Sequence, residues 1–299
     1  MLKRLSLRQR EEVWFIVLVS PFFLGFLIFT AYPLLASFYY SLSRYDVLTP
    51  PSWVGLNNYL ELVKDTLFWK SLFVTTLYTL GSVILGMIFS LGLALLLNQN
   101  VPGLKVFRTI FYLPSIISGV ALATLWIWIF NSDFGILNFL ISSLTGLKGP
   151  SWLASEQWVV PSLIIVSLWG LGGTMVIFLA GLQGIPTELY EAADLDGANG
   201  LRKFLSITLP LLTPVVFFNG LTGMIASFQV FTTAMVMTGG GPNYASYFLV
   251  LYIYNSAFRN FRMGFASALA WILFAIVMIL TLFSFRSSAS WVHYEGEDF

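Results

Sequence analysis

The chain has 299 residues, of which 58% are hydrophobic and only 10% charged, and its net charge is +1. Soluble domains carry about 25% charged residues, so this composition indicates a membrane protein and no nucleic-acid partner. The lack of cysteine excludes disulfides, thiolate metal sites and a cysteine nucleophile. With one histidine, His293, a zinc site built on several histidines is excluded as well.

Six apolar stretches are long enough to cross a membrane. A crossing needs about 20 apolar residues, because a helix rises about 1.5 Å per residue through ~30 Å of hydrocarbon. Each must be helical, since lipid offers the backbone no other hydrogen-bond partner. None of the six contains Asp, Glu, Lys, Arg or His. They are residues 13–40, 71–97, 110–130, 159–182, 211–237 and 263–285.

The distribution of basic residues predicts how the chain is oriented. Residues 1–12 are enriched in Lys and Arg, which favours a cytoplasmic N-terminal segment. The first stretch is far longer than the ~7–15 apolar residues of a signal peptide, so we expect it to be retained. Six crossings then return the tail, residues 286–299, to the cytoplasm. The four basic residues are Lys3, Arg4, Arg8 and Arg10.

The predicted fold is therefore all-α: a polytopic membrane protein with six helices in one domain over residues 13–285. We expect a multi-pass protein of the cell (inner) membrane with both termini in the cytoplasm. The connections predicted outside, residues 41–70, 131–158 and 238–262, are long and rich in Pro, Gly, Trp and Tyr. Three tryptophans near span ends are typical of an interfacial aromatic belt. They are Trp126, Trp128 and Trp158.

The connection between the fourth and fifth stretches predicts a short helix outside the membrane. Pro186 suits a first helical position, Glu188 complements the dipole of the first turn, and Gly197 is typical of a helix end. By helical spacing, one shallow face carries Leu189, Ala192, Ala193 and Asp196. A soluble partner could dock on such a face, but the same pattern is equally typical of a surface helix that binds no partner. Further on, Pro210 and Pro214 predict a kink at the start of the fifth span.

The chain shows no energy source of its own. Ion-coupled transporters place ionisable residues at membrane depth, and these six stretches have none. A G-x-x-x-x-G-K-[ST] phosphate loop is also absent from the sequence. A transporter of this kind must receive its power stroke from a partner, and the loop helix is the obvious place to receive it.

The same loop resembles the EAA loop of ABC importer permeases. The resemblance rests on Glu191-Ala192-Ala193, Asp196-Gly197-Ala198 and Ile207-Thr208-Leu209-Pro210. It implies a type I ABC importer permease whose coupling loop, residues 184–210, seats its helix in a groove of an ATPase subunit. The residues that it assigns to coupling are Glu191, Ala192, Ala193, Asp196, Gly197, Leu209 and Pro210.

Three further motifs resemble the carbohydrate-uptake branch of these permeases, the sugar and glycerol-phosphate permeases. They lie at residues 53–59, 238–243 and 252–268. The resemblance implies a non-catalytic subunit that passes a sugar or oligosaccharide. The implied partners are a second permease, two copies of an ABC ATPase, an extracytoplasmic substrate-binding (lipo)protein and the lipid membrane. ATP and Mg are used by the ATPase, so we expect no cofactor on this chain.

The resemblance also places a substrate cavity near spans four to six. Sugar contact needs aromatic faces and neutral polar groups, which these spans offer in two sets. The alternative is that the polar groups join helices and that the neighbouring glycines allow close packing. The candidates are Ser167, Trp169 and Thr174 in span four, and Asn219, Gly223 and Ser227 in span five.

Two rival functions remain on the sequence. A stand-alone secondary carrier or channel for a small polar solute is disfavoured by the uncharged spans and has no use for the 191–210 motif. A membrane-embedded enzyme is disfavoured by the missing cysteine and by spans without charged or histidine side chains.

Overall fold

The computed structural model describes residues 6–99 and 101–292, so Lys3, Arg4 and His293 lie outside the described residues. In chain order the α-helices are α1 (Leu7–Phe26), α2 (Tyr32–Ser41), α3 (Asn57–Lys64), α4 (Thr66–Leu97), α5 (Leu104–Tyr112), α6 (Gly119–Ile129), α7 (Ile136–Thr145), α8 (Val159–Trp169), α9 (Gly172–Gly184), α10 (Thr187–Leu195), α11 (Gly200–Lys203), α12 (Leu209–Leu211), α13 (Thr213–Phe228), α14 (Thr232–Met237), α15 (Leu249–Tyr254) and α16 (Met263–Ser288). Tighter or wider turns continue some of them: π-helical at Leu27–Ala31, Phe204–Thr208 and Asn255–Arg259, and 3-10 at Leu113–Ile116. Two short strands, β1 (Ser43–Arg44) and β2 (Ser52–Trp53), pair antiparallel.

Helices dominate, which confirms the all-α polytopic fold. Three continuous helical segments are long and apolar enough to cross a membrane. Three bent pairs of helices bring the number to six if each pair is one crossing. The continuous segments are Glu11–Ser41, Thr66–Leu97 and Met263–Ser288, and the pairs are α5 with α6, α8 with α9, and α11–α12 with α13.

The third, fourth and fifth spans are bent, and the sequence predicted a kink only in the fifth. The third bends by 99° between Ile116 and Gly119, the fourth by 52° and the fifth by 64°. In the third, Ile117 is extended and the Ser118 side chain accepts from the Ala121 N–H, so Ser118 starts a new helix. The fifth span also ends early, since α13 stops at Phe228 and the predicted remainder forms α14 after a break.

Prolines and glycines explain the other bends. Pro210 and Pro214 flank Leu212, where the fifth span bends, because a proline lacks the N–H for the helical bond four residues back. The fourth span breaks at Gly170 and Leu171. Sequence alone predicts the fifth-span kink, and the structure confirms it.

The described residues divide into two compact units. One runs to Lys64 and includes Ile253–Ile272; the other is Asp65–Tyr252 with the residues from Leu273 onward. In the first unit, buried Asn58 donates to the carbonyls of Ser41 and Ser43, at 2.8 and 3.0 Å, and so fixes the chain after α2. The backbone N–H and the hydroxyl of Thr49 both donate to Asp46 Oδ1, and these bonds keep the pKa of the exposed Asp46 carboxyl below its usual value.

Helix α4 is the central helix of the second unit and packs against α8, α9 and α13. Its buried face is rich in small residues: Ser71, Thr75, Ser82 and Ser90 lie there, with Gly86. All four hydroxyls bond back to carbonyls of α4 itself, as Thr75 does to Ser71 at 2.7 Å. Small residues let helices approach closely in a membrane, where hydrophobicity does not drive helices together.

The predicted connecting loops contain more structure than the sequence indicated. Residues 131–158 include α7, and residues 238–262 include α15 and its π-helical turn. Trp126 is also not an interfacial residue, as its side chain is 6% exposed and contacts Phe130 and Trp169. Trp128 and Trp158 are exposed.

Candidate functional site

Helix α10 is the short helix that the sequence predicts between the fourth and fifth spans. The chain enters it through Ile185, which is extended because it precedes Pro186. Pro186 lies just before the helix, one position earlier than predicted. Glu188 occupies the first turn, where a carboxylate is favourable near the positive end of the helix dipole.

Gly197 ends this helix in the way that its position predicts. Its φ is +74°, a left-handed conformation that costs glycine nothing. The Gly197 N–H donates to the Asp194 carbonyl at 3.1 Å, and the Ala198 N–H donates to the Ala193 carbonyl at 2.9 Å. These two bonds form a Schellman motif, which fixes the direction in which the chain leaves α10.

Two side chains hold α10 against the start of the fifth span. The hydroxyls of Tyr190 and Thr208 lie 2.9 Å apart and share a hydrogen bond. Lys203 Nζ lies 2.7 Å from Asp194 Oδ1. The Tyr190 ring packs against the buried cluster that includes Leu182 and Leu212. The helix is therefore attached through one side only.

The other side of α10 is open. No residue of this helix is buried, and the Leu195 side chain is 92% exposed. Of the predicted face, Leu189, Ala192 and Asp196 are exposed, and Ala193 is half-buried. Glu191 is exposed as well. The exposed side chains of Leu189 and Leu195 leave apolar area on this helix available to a partner.

The two remaining coupling candidates, Leu209 and Pro210, form the base of this arrangement. Both are half-buried and follow directly after buried Thr208. The Thr213 hydroxyl donates to the Pro210 carbonyl at 2.6 Å, which satisfies a group at the helix break. The motif thus joins α10 to the kink of the fifth span.

The candidates in the fourth span lie around its bend. Trp169 is the last residue of α8 and is 49% exposed, with its ring edge-on to Trp126 at 5.7 Å between centroids. Ser167 donates to the Ile164 carbonyl at 2.6 Å within its own helix. Thr174 is half-buried in the first turn of α9.

The candidates in the fifth span face α4. Ser227 Oγ lies 3.2 Å from Ser82 Oγ, and a Cβ added at Gly223 would lie 3.7 Å from the Val83 side chain. Asn219 is buried, and among the described residues its Nδ2 has no hydrogen-bond partner. The structure places this stripe in a helix–helix contact, the alternative that the sequence left open.

The glycines beside Trp169 differ in their surroundings. A Cβ at Gly172 would lie 2.6 Å from both the Phe111 carbonyl oxygen and the Tyr112 Cα. A Cβ at Gly173 would have no neighbour within 4 Å. Gly172 therefore permits the close approach of α9 to the end of α5, and Gly173 does not serve this packing.

The glycine-rich turn at residues 238–243 is fixed by residues that sequence reasoning missed. Lys70 donates to the Asn243 carbonyl at 2.5 Å, and the Asn243 amide donates to Glu156 at 3.1 Å. The Tyr252 hydroxyl donates to Asp65. These partners lie up to 187 positions apart, so no local pattern could have identified them.

Comparison with known proteins identifies the family to which the chain belongs. Residues 82–292, which include α10, match the family described as the inner membrane component of binding-protein-dependent transport systems. The chain belongs to this family. It is an ABC importer permease, a multi-pass membrane subunit that works with a binding protein and an ATPase.

The sequence similarity to known relatives extends over nearly the whole permease. It is 43% identical over 284 residues to the "Probable ABC transporter permease protein YesP" of Bacillus subtilis, covering 94% of this chain and 92% of that protein. It is 34% identical to the "Trehalose/maltose transport system permease protein MalF" of Thermococcus litoralis, covering 93% and 94%.

Solved structures show the same fold. A bacterial alginate ABC transporter in complex with a periplasmic protein bound to alginate pentasaccharide contains a similar chain. That chain superposes with a TM-score of 0.83 at 23% identity, covering 96% of the permease and 97% of the other chain.

Proposed function

We propose that this permease forms the translocation path for a sugar or oligosaccharide that an extracytoplasmic binding protein delivers. Two relatives support the substrate class through their names, a trehalose/maltose permease and the "Multiple sugar-binding transport system permease protein MsmF" of Streptococcus mutans, 32% identical. The motifs at residues 53–59 and 238–243 support the same class.

The single observation that carries the mechanism is the attachment of α10. Its helix is closed by a Schellman motif, held through Tyr190 and Asp194, and otherwise exposed, with Leu195 outermost. We propose that an ATPase subunit binds this open side. The movement of the ATPase during ATP hydrolysis is then transmitted through α10 to the kink at Pro210. The proposed coupling residues are those of the EAA loop, Glu191, Ala192, Ala193, Asp196, Gly197, Leu209 and Pro210.

The proposed assembly contains a second permease and two copies of the ATPase. In it, α10 and both termini lie in the cytoplasm, and residues 131–158 lie outside. This chain is proposed to be non-catalytic, with ATP and Mg bound by the ATPase. Alternating access then follows from rigid-body rocking of helices that the ATPase drives.

For the substrate path, Trp169 is the strongest proposed contact. Its ring is half exposed at the bend of the fourth span, and Trp126 holds it from the side. Such a ring offers an apolar face to a sugar, while Ser167 and Thr174 are the neighbouring hydroxyls. Asn219, Gly223 and Ser227 require a rearrangement against α4 before they can contact substrate.

The proposal is tested by ATP-driven uptake in vesicles that contain the permease, its ATPase and its binding protein. Glu191→Lys and Gly197→Asp are expected to abolish uptake while the protein stays in the membrane. Glu12→Lys is the matched control, because Glu12 is an exposed carboxylate outside the loop, and it forms an ion pair with Arg8 at 3.3 Å. Normal uptake by both loop variants would remove the coupling role.

A further inference from the structure

Helix α7 exposes an apolar surface that the permease function does not use. Residues 134–147 contain no charged side chain. Ile136, Leu140 and Leu144 recur every four residues and so share one face, which Phe139 extends and which also carries exposed Ser143. All four apolar side chains are exposed, Leu144 to 84%. A contiguous exposed surface of this kind marks a partner or a membrane.

The opposite side of α7 is fixed by Asn138. This buried amide donates to the carbonyls of Ser132 and Pro150, at 3.1 and 3.2 Å, and accepts from Trp152 Nε1 at 2.8 Å. Gly149 packs directly on Asn138. The rotation of α7 about its axis is therefore set, and Leu140 and Leu144 lie exposed on the side away from Asn138.

The position of α7 follows from its attachment to α6. The Gly135 N–H donates to the Asn131 carbonyl at 3.0 Å, and a Cβ at Gly135 would lie 2.6 Å from the Ile129 carbonyl oxygen. Helix α7 thus begins in contact with the end of the third crossing. Trp128, in the last turn of α6, is exposed beside it, as expected of a residue at the membrane surface.

We propose that α7 is an interfacial helix, whose apolar face lies in the boundary between lipid headgroups and hydrocarbon. Its ten residues are half of what a crossing needs, so it lies along the membrane. Lipid is the occupant that continuity with the third span favours, because Val120, Leu125 and Trp128 on that span are exposed and apolar as well. Asp133 and Lys148, the nearest charges on either side, line a cavity of about 640 Å³ together with Ser142, and the edge of the apolar face at Ile136 and Phe139 also borders this cavity.

The interfacial position has a mechanical consequence. Through Asn138 and Trp152, α7 is joined to residues just before α8, and Ser162 of α8 donates to the Trp152 carbonyl at 3.1 Å. A helix held by lipid therefore fixes the depth of the third and fourth spans together. This holds whichever solute the permease carries.

Because the chain has no cysteine, single nitroxide labels test the proposal in the full-length protein. Leu144→Cys and Leu140→Cys probe the apolar face, and Ser142→Cys on the same helix is the matched control. In liposomes we measure the accessibility of each label to oxygen, which concentrates in lipid, and to a water-soluble nickel chelate. The oxygen-to-nickel ratio is expected to be several-fold higher at Leu144 and Leu140 than at Ser142.

Ratios at Leu144 and Leu140 as low as that of a label in water would overturn the proposal, since the face would then lie in water, and equally high ratios at all three labels would overturn it because the helix would then lie wholly in lipid. Low accessibility to both reagents at Leu144 would also overturn it, because a protein partner would then cover the face. Repeating the measurement with and without the binding protein identifies that partner. Uptake measured on the same variants separates this result from the proposed transport function.

Discussion

The Tyr190 hydroxyl lies 2.9 Å from the hydroxyl of Thr208, across 18 residues of sequence. Thr208 is buried, and its carbonyl accepts from the Leu212 N–H at 3.0 Å, at the point where the fifth span bends. One hydrogen bond thus links the exposed helix α10 to the base of α13. In the proposed mechanism, a displacement of α10 reaches the membrane helix by this short route.

The hydrogen bond between Tyr190 and Thr208 is expected to contribute about 1 kcal/mol to the stability of this link. Tyr190→Phe and Thr208→Val are each predicted to lower the thermal stability of the purified permease, and the double variant to lower it little further. A double-mutant cycle from denaturation curves in detergent measures the coupling. Fully additive losses would show that the two hydroxyls do not act as a pair.

Gly197 is predicted to be required because of its backbone conformation, and not because a side chain at this position would clash with a neighbour. A Cβ at this position would meet no atom within 4 Å, but the φ of +74° costs other residues about 1–2 kcal/mol. Gly197→Ala should therefore reduce uptake more than Gly197→Asn, because asparagine tolerates this region. Gly200→Ala is the control, since Gly200 also lacks neighbours and has no positive φ. Equal effects of the Ala and Asn variants would contradict this explanation.

Gly172 and Gly173 are predicted to respond oppositely to alanine. Gly172→Ala introduces a methyl group against the backbone of Phe111 and Tyr112 and is expected to destabilise by about 1–3 kcal/mol. Gly173→Ala should be neutral or stabilising by up to about 1 kcal/mol, as alanine favours a helix. Melting temperatures of the two variants in one detergent compare them directly. A lower melting temperature for Gly173→Ala than for Gly172→Ala would contradict the packing argument.

Asn138 is predicted to hold residues 131–158 together. Asn138→Ala leaves the buried Trp152 N–H without its acceptor, which costs about 1–3 kcal/mol. Proteolysis of vesicles from the outer face should then cleave this segment faster. Ser142→Ala, at an exposed position of the same helix, should leave the cleavage rate unchanged. An unchanged rate for Asn138→Ala would show that other contacts suffice.

Local patterns predicted the number of spans, the α10 helix, its end at Gly197 and the kink near Pro210, because each depends on residues adjacent in sequence. The bends at Ser118 and Gly170 were not predicted. An apolar stretch indicates how long a span is, but it does not indicate whether the helix within it is straight. Asn138 and Lys70 were missed for a different reason. Their partners are a buried tryptophan 14 residues away and a carbonyl 173 residues away, and no periodicity reports such contacts.

The central claim, that α10 is the surface on which an ATPase subunit docks, is tested most directly by cross-linking from Leu195. Leu195→Cys, labelled with a photoreactive maleimide in membranes that contain the whole transporter, is predicted to form a covalent adduct with the ATPase. Leu144→Cys, at another strongly exposed leucine that is proposed to lie on the opposite side of the membrane, is predicted to form none. An adduct from Leu144, or no ATPase adduct from Leu195, would contradict the claim.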